Sequence, residues 1–424
     1  MNFMKREAQK LITEVKNFQL DEIQSRMDDE RQGVEIESNG VKYIAFIRRL
    51  TPTECGRLQG IPEWFNWNGT SESQVYKELG NGWQVDTIKH CFFFMPKFDR
   101  PIRVWSLFDG MACCHIALKE LGIPIESYIS SEVDKAAIAT EIRNFPDMIQ
   151  VGDVTKIDVA DLVAKYGVPD LLTAGSPCQS FSFSGKMKGM STATGEEIYT
   201  LDRYLELKKE GFQFEGQSYL FWEFMRILTE LREYNPNILY FLENVKMLEK
   251  WERCLSHAVG IRGVHINSAL VSAQSRRRIY WSNFRVKDLG SASLFDFSDD
   301  PFHLPDYETD IPQPEDRGIV INDILEDTAD SKYYLRDEVV GKLMAKTDMD
   351  KLNGYLKEPQ FSVDELMEYM DGSDEYADMS ESERRELAEY AYKMEADRLD
   401  EFYNGKKILT DETEGNEFED EQEG

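Results

Sequence analysis

The sequence predicts an α/β fold built on a doubly wound, largely parallel sheet, and three observations carry that prediction. From Arg103 to Asn283, short apolar runs of strand length alternate with helix-length amphipathic stretches. Several of these runs end on a glycine or an acid, as in SLFDG, SYISSE, DLLTAG and NILYFLENV. One of them, DLLTAG, is followed at once by Ser176, Pro177 and Cys178, which puts a thiol at the strand edge where open α/β sheets bind ligands.

At 424 residues the chain is long enough for two or three domains with a large core. Its hydrophobic content of 41% suits a soluble globular protein, and no apolar run approaches the roughly 20 residues that span a bilayer. The opening MNFMKREAQKLITEV mixes charges among its apolar positions and does not read as a signal peptide. Six scattered cysteines, Cys55, Cys91, Cys113, Cys114, Cys178 and Cys254, form no CxxC pair and no disulfide framework, so a reducing, intracellular setting is expected. The formal charge of −30 argues against a generally basic nucleic-acid binder. Residues 361–424 hold 23 acids and 6 bases, a net of −17, which leaves −13 for residues 1–360. Any nucleic-acid contact must therefore come from a local basic patch.

Taken in order, the chain opens with an amphipathic helical pattern from about Met4 to Glu30, with Leu11, Val15 and Phe18 on its apolar side. Asn39-Gly40, between GVEIES and VKYIAFI, signals a two-residue hairpin turn. Thr51 is a helix N-cap, with Pro52 at the first helical position and Glu54 completing a capping box; Gly60 and Pro62 stop that helix. Gly80-Asn81-Gly82 reads as a turn before a second helix through His90. RVWSLFDG is then a strand with its glycine turn, and MACCHIALKELG a helix closed by Gly122. SYISSE is a second strand ending on Glu132, 22 residues after Gly110, where an acid suits a ribose diol. GDV, from Gly152 to Val154, ends a third strand. DLLTAG is the fourth, NILYFLENV the fifth with Glu243 at its C-terminal end, and HINSALVSAQSRRRIYWSN supplies another, carrying Arg276 to Arg278.

The polar stretch between Gly189 and Ser218 reads as a surface insertion, and the pattern weakens into a linker after about Asp299. A helical pattern returns in INDILEDTADSKYYLRDEVVGKLM, before an acidic segment that is helical around Ser380 to Tyr403 and disordered from about Thr410. The boundaries drawn on this basis are 1–40 for the N-terminal helix and hairpin start, 41–290 for the sheet domain, 291–360 for the linker region and 361–424 for the acidic tail.

Each site feature is weak alone. Cys178 has a bland reading as a core cysteine, FDGMACC is not GxGxxG, and Glu243 or the arginines could be a solvated edge. Together they suit addition to an electron-poor ring, in which a thiolate attacks, a carboxylic acid protonates or holds a ring nitrogen, and a guanidinium polarises a carbonyl oxygen.

Over roughly Arg48 to Asn283 these motifs resemble, in ordered series, the C5-cytosine DNA methyltransferases. SLFDG, with Phe108, Asp109 and Gly110, looks like the family's S-adenosylmethionine turn. Glu132 and Val133 are similar to its ribose-binding acid segment, and Asp153 and Val154 to its adenine contact. GSPCQSFS, with Pro177, Cys178, Gln179 and Ser182, looks like the catalytic Pro-Cys motif, and LENV, with Glu243 and Asn244, like Glu-Asn-Val. QSRRR assigns Gln274, Arg276 and Arg278 to Gln-x-Arg-x-Arg. Two motifs stand out of order. RRLTPTECGRLQGIP and YKELGNGWQV look like the family's last two, yet they fall at 48–90, ahead of the cofactor and catalytic motifs at 103–283, so the chain reads as circularly permuted. In style, FDGMA and the tryptophan of GNGWQV are closer to the de novo type, in which Gly80, Asn81 and Trp83 would lie against the cofactor.

The resemblance implies a Rossmann-like S-adenosylmethionine-dependent methyltransferase sheet with a smaller C-terminal region, no metal, and duplex DNA as partner. It implies that a cytosine is flipped out of the helix, that Cys178 adds to C6, and that Glu243 engages N3 and Arg278 the O2. Gln179, Ser182, Asn244, Gln274 and Lys186 would contact the substrate, and target choice would fall to 291–360. An RNA cytosine-5 methyltransferase acting on transfer RNA, and a catalytically inactive binding homologue, are the alternatives. A zinc deaminase lacks its HxE and PCxxC signatures here, and a P-loop enzyme its GKS or GKT. A stand-alone enzyme of this kind suits the cytoplasm of a prokaryote or a virus-infected host cell, in the manner of a restriction-modification system.

Overall fold

The computed structural model describes residues 11, 23–38, 41–177, 196–212, 214, 216–290, 304–347, 362–373, 376–377 and 379–411. The chain divides into two compact units, residues 1–50 with 328–424, and residues 51–327.

In the first unit, strands β1 (Val34–Ser38) and β2 (Val41–Ala45) pair antiparallel with Ser38 opposite Val41. That register suits a two-residue turn, although Asn39 and Gly40 lie outside the described residues. Leu11 is buried, while Val15 and Phe18 lie outside the described residues.

The second unit opens with helix α1 (Pro52–Leu58), and the expected cap forms: the Glu54 amide donates to Thr51 Oγ1 at 3.2 Å, and the Thr51 amide donates to Glu54 Oε2 at 2.7 Å. Helix α2 (Glu72–Asn81) runs one step further than expected. Gly80 and Asn81 are its last two residues, and Gly82 alone opens the turn into α3 (Val85–Phe93).

Strand β3 (Ile102–Leu107), helix α4 (Cys113–Glu120), β4 (Ile125–Ser131), α5 (Lys135–Asn144), β5 (Ile149–Gln150), α6 (Val159–Tyr166) and β6 (Leu171–Gly175) alternate as expected. After α7 (Leu201–Lys209) and α8 (Phe221–Tyr234) come β7 (Leu239–Val245) and α9 (Glu249–Val259). The segment read as one further strand is two, β8 (Val264–Asn267) and β9 (Arg277–Ser282), paired antiparallel. A short antiparallel pair, β10 (Val286–Asp288) with β11 (Tyr307–Thr309), follows.

The main sheet has the order β5-β4-β3-β6-β7-β9-β8, with β9 antiparallel to both its neighbours. Adjacent residues of a strand point to opposite faces, and the sequence uses this fully. Val104, Leu171, Phe241 and Tyr280 bury against α2, α3 and α4, whereas Trp105, Leu172, Leu242 and Trp281 bury against α7, α8 and α9. The helices that precede the sheet in sequence thus complete one of its two apolar layers.

The stretch between Gly189 and Ser218 departs from its reading as a surface insertion. Ile198, Tyr204 and Leu207 lie in the core, because α7 turns an apolar stripe toward the sheet. Two helices in the last part of the chain bracket a further apolar seam. After α10 (Asp337–Met344), α11 (Val363–Asp371) and α12 (Glu381–Asp411) of the first unit bury Leu366, Met370, Leu387, Ala388 and Ala391 with Leu11. Helix α12 continues through Thr410, where disorder was expected to start.

Candidate active site

Strand order reverses between β3 and β6, and the crevice beyond their C-terminal ends is where a doubly wound sheet takes its ligand. A cleft of ≈ 580 Å³ opens there, within the ordinary range of small-molecule sites. On the β3 side the chain turns through Phe108, Gly110 and Ala112, with φ of 57°, 63° and 66°. Only the middle one is a glycine, so two L-residues hold the left-handed conformation that the missing glycines would adopt freely. Glu132, just past β4, accepts from the Gly110 amide at 2.9 Å and from the amides of Val133 and Asp134 at 2.7 and 2.8 Å. Its carboxylate is therefore fixed by backbone at the cleft wall. Asp153 caps the 3-10 turn Val154–Lys156, and both it and Val154 line the same wall.

The turn after α2 closes the cleft from another side. Gly80, Asn81, Gly82 and Trp83 all line it, and Trp83 lies edge-on to Phe241, with ring centroids 5.6 Å apart. The indole also presses on β6: a Cβ added at Gly175 would stand 2.6 Å from Trp83 Nε1. Arg276 fixes this turn by donating to the Gly82 carbonyl at 2.7 Å and to the Gly80 carbonyl at 3.4 Å. Burial, followed by the neighbouring Arg278 charge, lowers the Arg276 pKa. Arg276, expected to be catalytic, is thus engaged with the backbone of the turn after α2.

The chemical groups meet at the ends of β6, β7 and β9. Register sets Glu243 beside Gly175, and the Arg278 Nε donates to Glu243 Oε1 at 2.9 Å, with both side chains mostly buried at the cleft. Pro177, the residue before the thiol, lines the cleft as well. Cys178, Gln179, Ser182 and Lys186 lie outside the described residues.

Two expected substrate contacts have their polar groups engaged within the protein. Asn244 Nδ2 donates to the Ser176 carbonyl and hydroxyl at 3.3 and 3.0 Å, which ties the turn before Cys178 to β7. Gln274 Nε2 donates to the Leu58 carbonyl at 2.8 Å, which anchors α1. Gln274 Nε2 also donates to Gln59 Oε1 at 3.2 Å, so in both residues the amide nitrogen braces the fold.

Several cleft residues escaped the sequence reading, among them Cys113, Ser131, Ser176, Gln217 and Leu220. The stretch from α7 to α8 also reaches the site from behind. Buried Glu223 gathers the Tyr204 hydroxyl, the Lys208 ammonium and the Arg226 guanidinium, while Lys208 donates to the Thr155 carbonyl at 3.1 Å and Arg226 to that of Val154 at 3.4 Å. Nothing in the local sequence pattern signals this cluster. Tyr204 and Lys208 lie in the polar stretch read as a surface insertion, and their partners Glu223 and Arg226 lie beyond it on α8.

The family profile described as C-5 cytosine-specific DNA methylase matches residues 3–93 and 102–260, more than half of the chain. The chain belongs to that family. Its match comes in two pieces, the first of them ahead of the cofactor turn, and the arginine motif at 274–278 falls beyond the second. Among similar curated proteins, the orphan methyltransferase M.SPRI of Bacillus phage SPR is 28% identical over 284 residues, covering 59% of this chain and 56% of the phage protein. The type II methyltransferase M.HgiCI of Herpetosiphon aurantiacus is 30% identical over 249 residues, covering 56% and 52%. The chain spans about half the length of these relatives. Among solved structures, S. pombe Dnmt2 methyltransferase covers 58% of this chain and 68% of its own, at 20% identity and a TM-score of 0.38.

The cleft fits the cofactor that such a methylase uses. S-adenosylmethionine carries a ribose diol and two positive centres, and the cleft offers a backbone-fixed carboxylate at Glu132 and an aromatic wall at Trp83.

Proposed function

We propose that the protein is a DNA (cytosine-5)-methyltransferase that takes its methyl group from S-adenosylmethionine and acts on a cytosine flipped out of duplex DNA, by way of a covalent bond to Cys178. The observation that carries this reading is the bonded Glu243–Arg278 pair at the same cleft as Glu132 and Trp83. One edge of one sheet thereby offers a cofactor wall, an acid and a guanidinium at the cleft that Pro177, the residue before Cys178, also lines.

The cofactor supplies the electrophilic methyl group. Phe108, Asp109, Gly110, Glu132, Val133, Asp153, Val154, Pro177 and the turn from Gly80 to Trp83 hold it. The protein's residues make the base reactive: the Cys178 thiolate adds to C6, Glu243 engages N3, and Arg278 steadies the charge that builds at O2. Once C5 has taken up the methyl group, its proton passes to solvent water and expulsion of the Cys178 thiolate restores the aromatic ring. Asn244 holds Ser176, two residues before Cys178, against β7, and Arg276 holds the turn bearing Trp83 at the cleft. Target choice is assigned to residues 291–360, and a solubilising role to the acidic residues after 361.

Transfer of labelled methyl from S-adenosylmethionine to cytosine in duplex DNA tests the reading, with transfer RNA as the parallel substrate. Label on DNA supports it, label on RNA alone moves the same chemistry to the other nucleic acid, and label on neither overturns it. Two variants test the cofactor wall by calorimetry. Glu132→Ala removes the carboxylate assigned to the ribose and should weaken cofactor binding by about tenfold or more, as loss of a charged hydrogen-bonding group does. An unchanged dissociation constant would remove Glu132 from the site. Gly175→Ala drives a methyl group into the Trp83 indole, an overpacking that costs about 1–3 kcal/mol and should appear as weaker cofactor binding. Wild-type affinity in this variant would show that the indole makes no contact.

A further inference from the structure

Glu141, on α5, lies behind the cofactor wall, 0% exposed, and does not touch the cleft. Its surroundings join three separate turns. Glu141 Oε1 accepts from the Ser130 hydroxyl at 2.8 Å, and Oε2 accepts from Gln150 Nε2 at 2.9 Å. Gln150 Oε1 in turn accepts from the amides of Glu132 and Gly152 at 3.2 and 2.8 Å, so it braces the turns after β4 and β5. The third turn, after β3, joins through Asp109. Asp109 Oδ1 accepts from the hydroxyls of Ser106 and Tyr128, whereas Oδ2 is buried with no donor from those groups. A buried carboxylate oxygen without a donor is costly, and the Glu141 carboxyl is the next acid along the same face of β4: Tyr128 donates to Asp109, and Ser130, two residues on, donates to Glu141. Two carboxylates cannot be neighbours in such a place, but a carboxylic acid and a carboxylate can, with one proton between them.

We propose that Glu141 is a positioning residue of the cofactor site, an uncharged acid that donates its proton to Asp109 Oδ2 and so locks the turns after β3, β4 and β5 together. The inference rests on the reading of the cleft as an S-adenosylmethionine site. It deepens that reading by assigning the site's geometry to a group that never meets the ligand. The groups acting on the pair agree with it. Burial, then the Asp109 charge, with Glu132 adding to it, pushes the Glu141 carboxyl up to about 10. Burial also raises Asp109, to about 6, against the donors Ser106, Tyr128 and Glu141, while Glu132 raises it further. Tyr128 and Cys114 are the other titratable groups beside Asp109, and burial raises the pKa of both.

The test compares the full-length wild type with Glu141→Gln and Glu141→Ala in calorimetric titrations with S-adenosylmethionine and in thermal melts across pH. Glutamine reproduces an uncharged acid, with one donor for Asp109 and one acceptor, so Glu141→Gln should bind the cofactor within about twofold of wild type, whereas Glu141→Ala should lose about tenfold or more. In Glu141→Ala, kcat at saturating cofactor should change far less than the dissociation constant, because no chemical group is lost. The melts have a definite sign. A carboxyl whose folded pKa is raised gives stability that is full below its unfolded value and is lost as pH rises through the folded one, here toward about 10. Glu141→Gln should shrink that loss, which runs from the unfolded carboxylate range up toward about 10, and leave only the parts that belong to Asp109, Tyr128 and Cys114. If Glu141→Gln binds as weakly as Glu141→Ala, or if its melting falls with alkaline pH as in wild type, Glu141 is a charged or merely space-filling residue and the proposal fails. If wild type itself binds no S-adenosylmethionine while the alkaline loss shrinks in the Glu141→Gln melt, the function reading has failed and the proton between Asp109 and Glu141 has not.

Discussion

Cys178→Ala should leave no measurable methyl transfer, a loss on the order of 10⁴-fold or more, as expected when a covalent nucleophile is removed. Carbon 5 of cytosine is a poor nucleophile in the intact aromatic ring. Addition of sulfur at C6 breaks that aromaticity and pushes electron density onto C5, and no other described residue lining the cleft offers a reactive thiol. Cys113 also lines the cleft, but burial raises its thiol to about 12, so it holds its proton at neutral pH and is no substitute nucleophile. Cofactor affinity should stay close to wild type, because the wall that carries Glu132, Asp109 and Trp83 is untouched. Parallel rate and calorimetric measurements separate the two effects. Residual turnover in the variant would mean that the methyl group moves without a thiol adduct.

Glu243→Gln should lower the rate by about 10²–10⁴-fold, the usual worth of a positioned acid or base. The side chain keeps its length and shape, so the change falls on the proton at N3 and on the partner of Arg278. Arg278 donates to Glu243 Oε1 at 2.9 Å, and glutamine offers it a neutral oxygen in the same place. The loss should therefore appear in kcat at saturating DNA and cofactor, with the cofactor dissociation constant unchanged. A variant with wild-type kcat would show that N3 is served by another group.

The sheet was legible in the sequence because its strands are buried on both faces and read as continuous apolar runs, with glycine or acid at each end. Their ends fix the ligand edge, so the places of Gly110, Glu132, Glu243 and Arg278 at one cleft follow from the pattern. Pattern reading missed the split of β8 from β9, because Ser268 to Ser275 is a short link within one mixed segment and carries no strong turn residue. It misplaced α7, whose stripe of Tyr204 and Leu207 is narrow among charges. Asn244, Gln274 and Arg276 were recognised as motif residues, yet their donors turn to backbone carbonyls, a choice that depends on which loops the fold brings near. Glu141 was invisible for the same reason. A glutamate on a helix reads as solvent-facing until the three turns above it are in place.

A bond between Cys178 and C6 of a cytosine in DNA can be trapped. Duplex DNA carrying 5-fluorocytosine permits addition and methylation but blocks the last step, because fluorine cannot leave as the C5 proton does. The account predicts a denaturant-stable protein–DNA complex that forms only with S-adenosylmethionine, maps to the peptide holding Cys178, and is absent in Cys178→Ala. Methylation of ordinary duplex DNA with no such complex on the fluorinated substrate, or a complex that persists without Cys178, would contradict it.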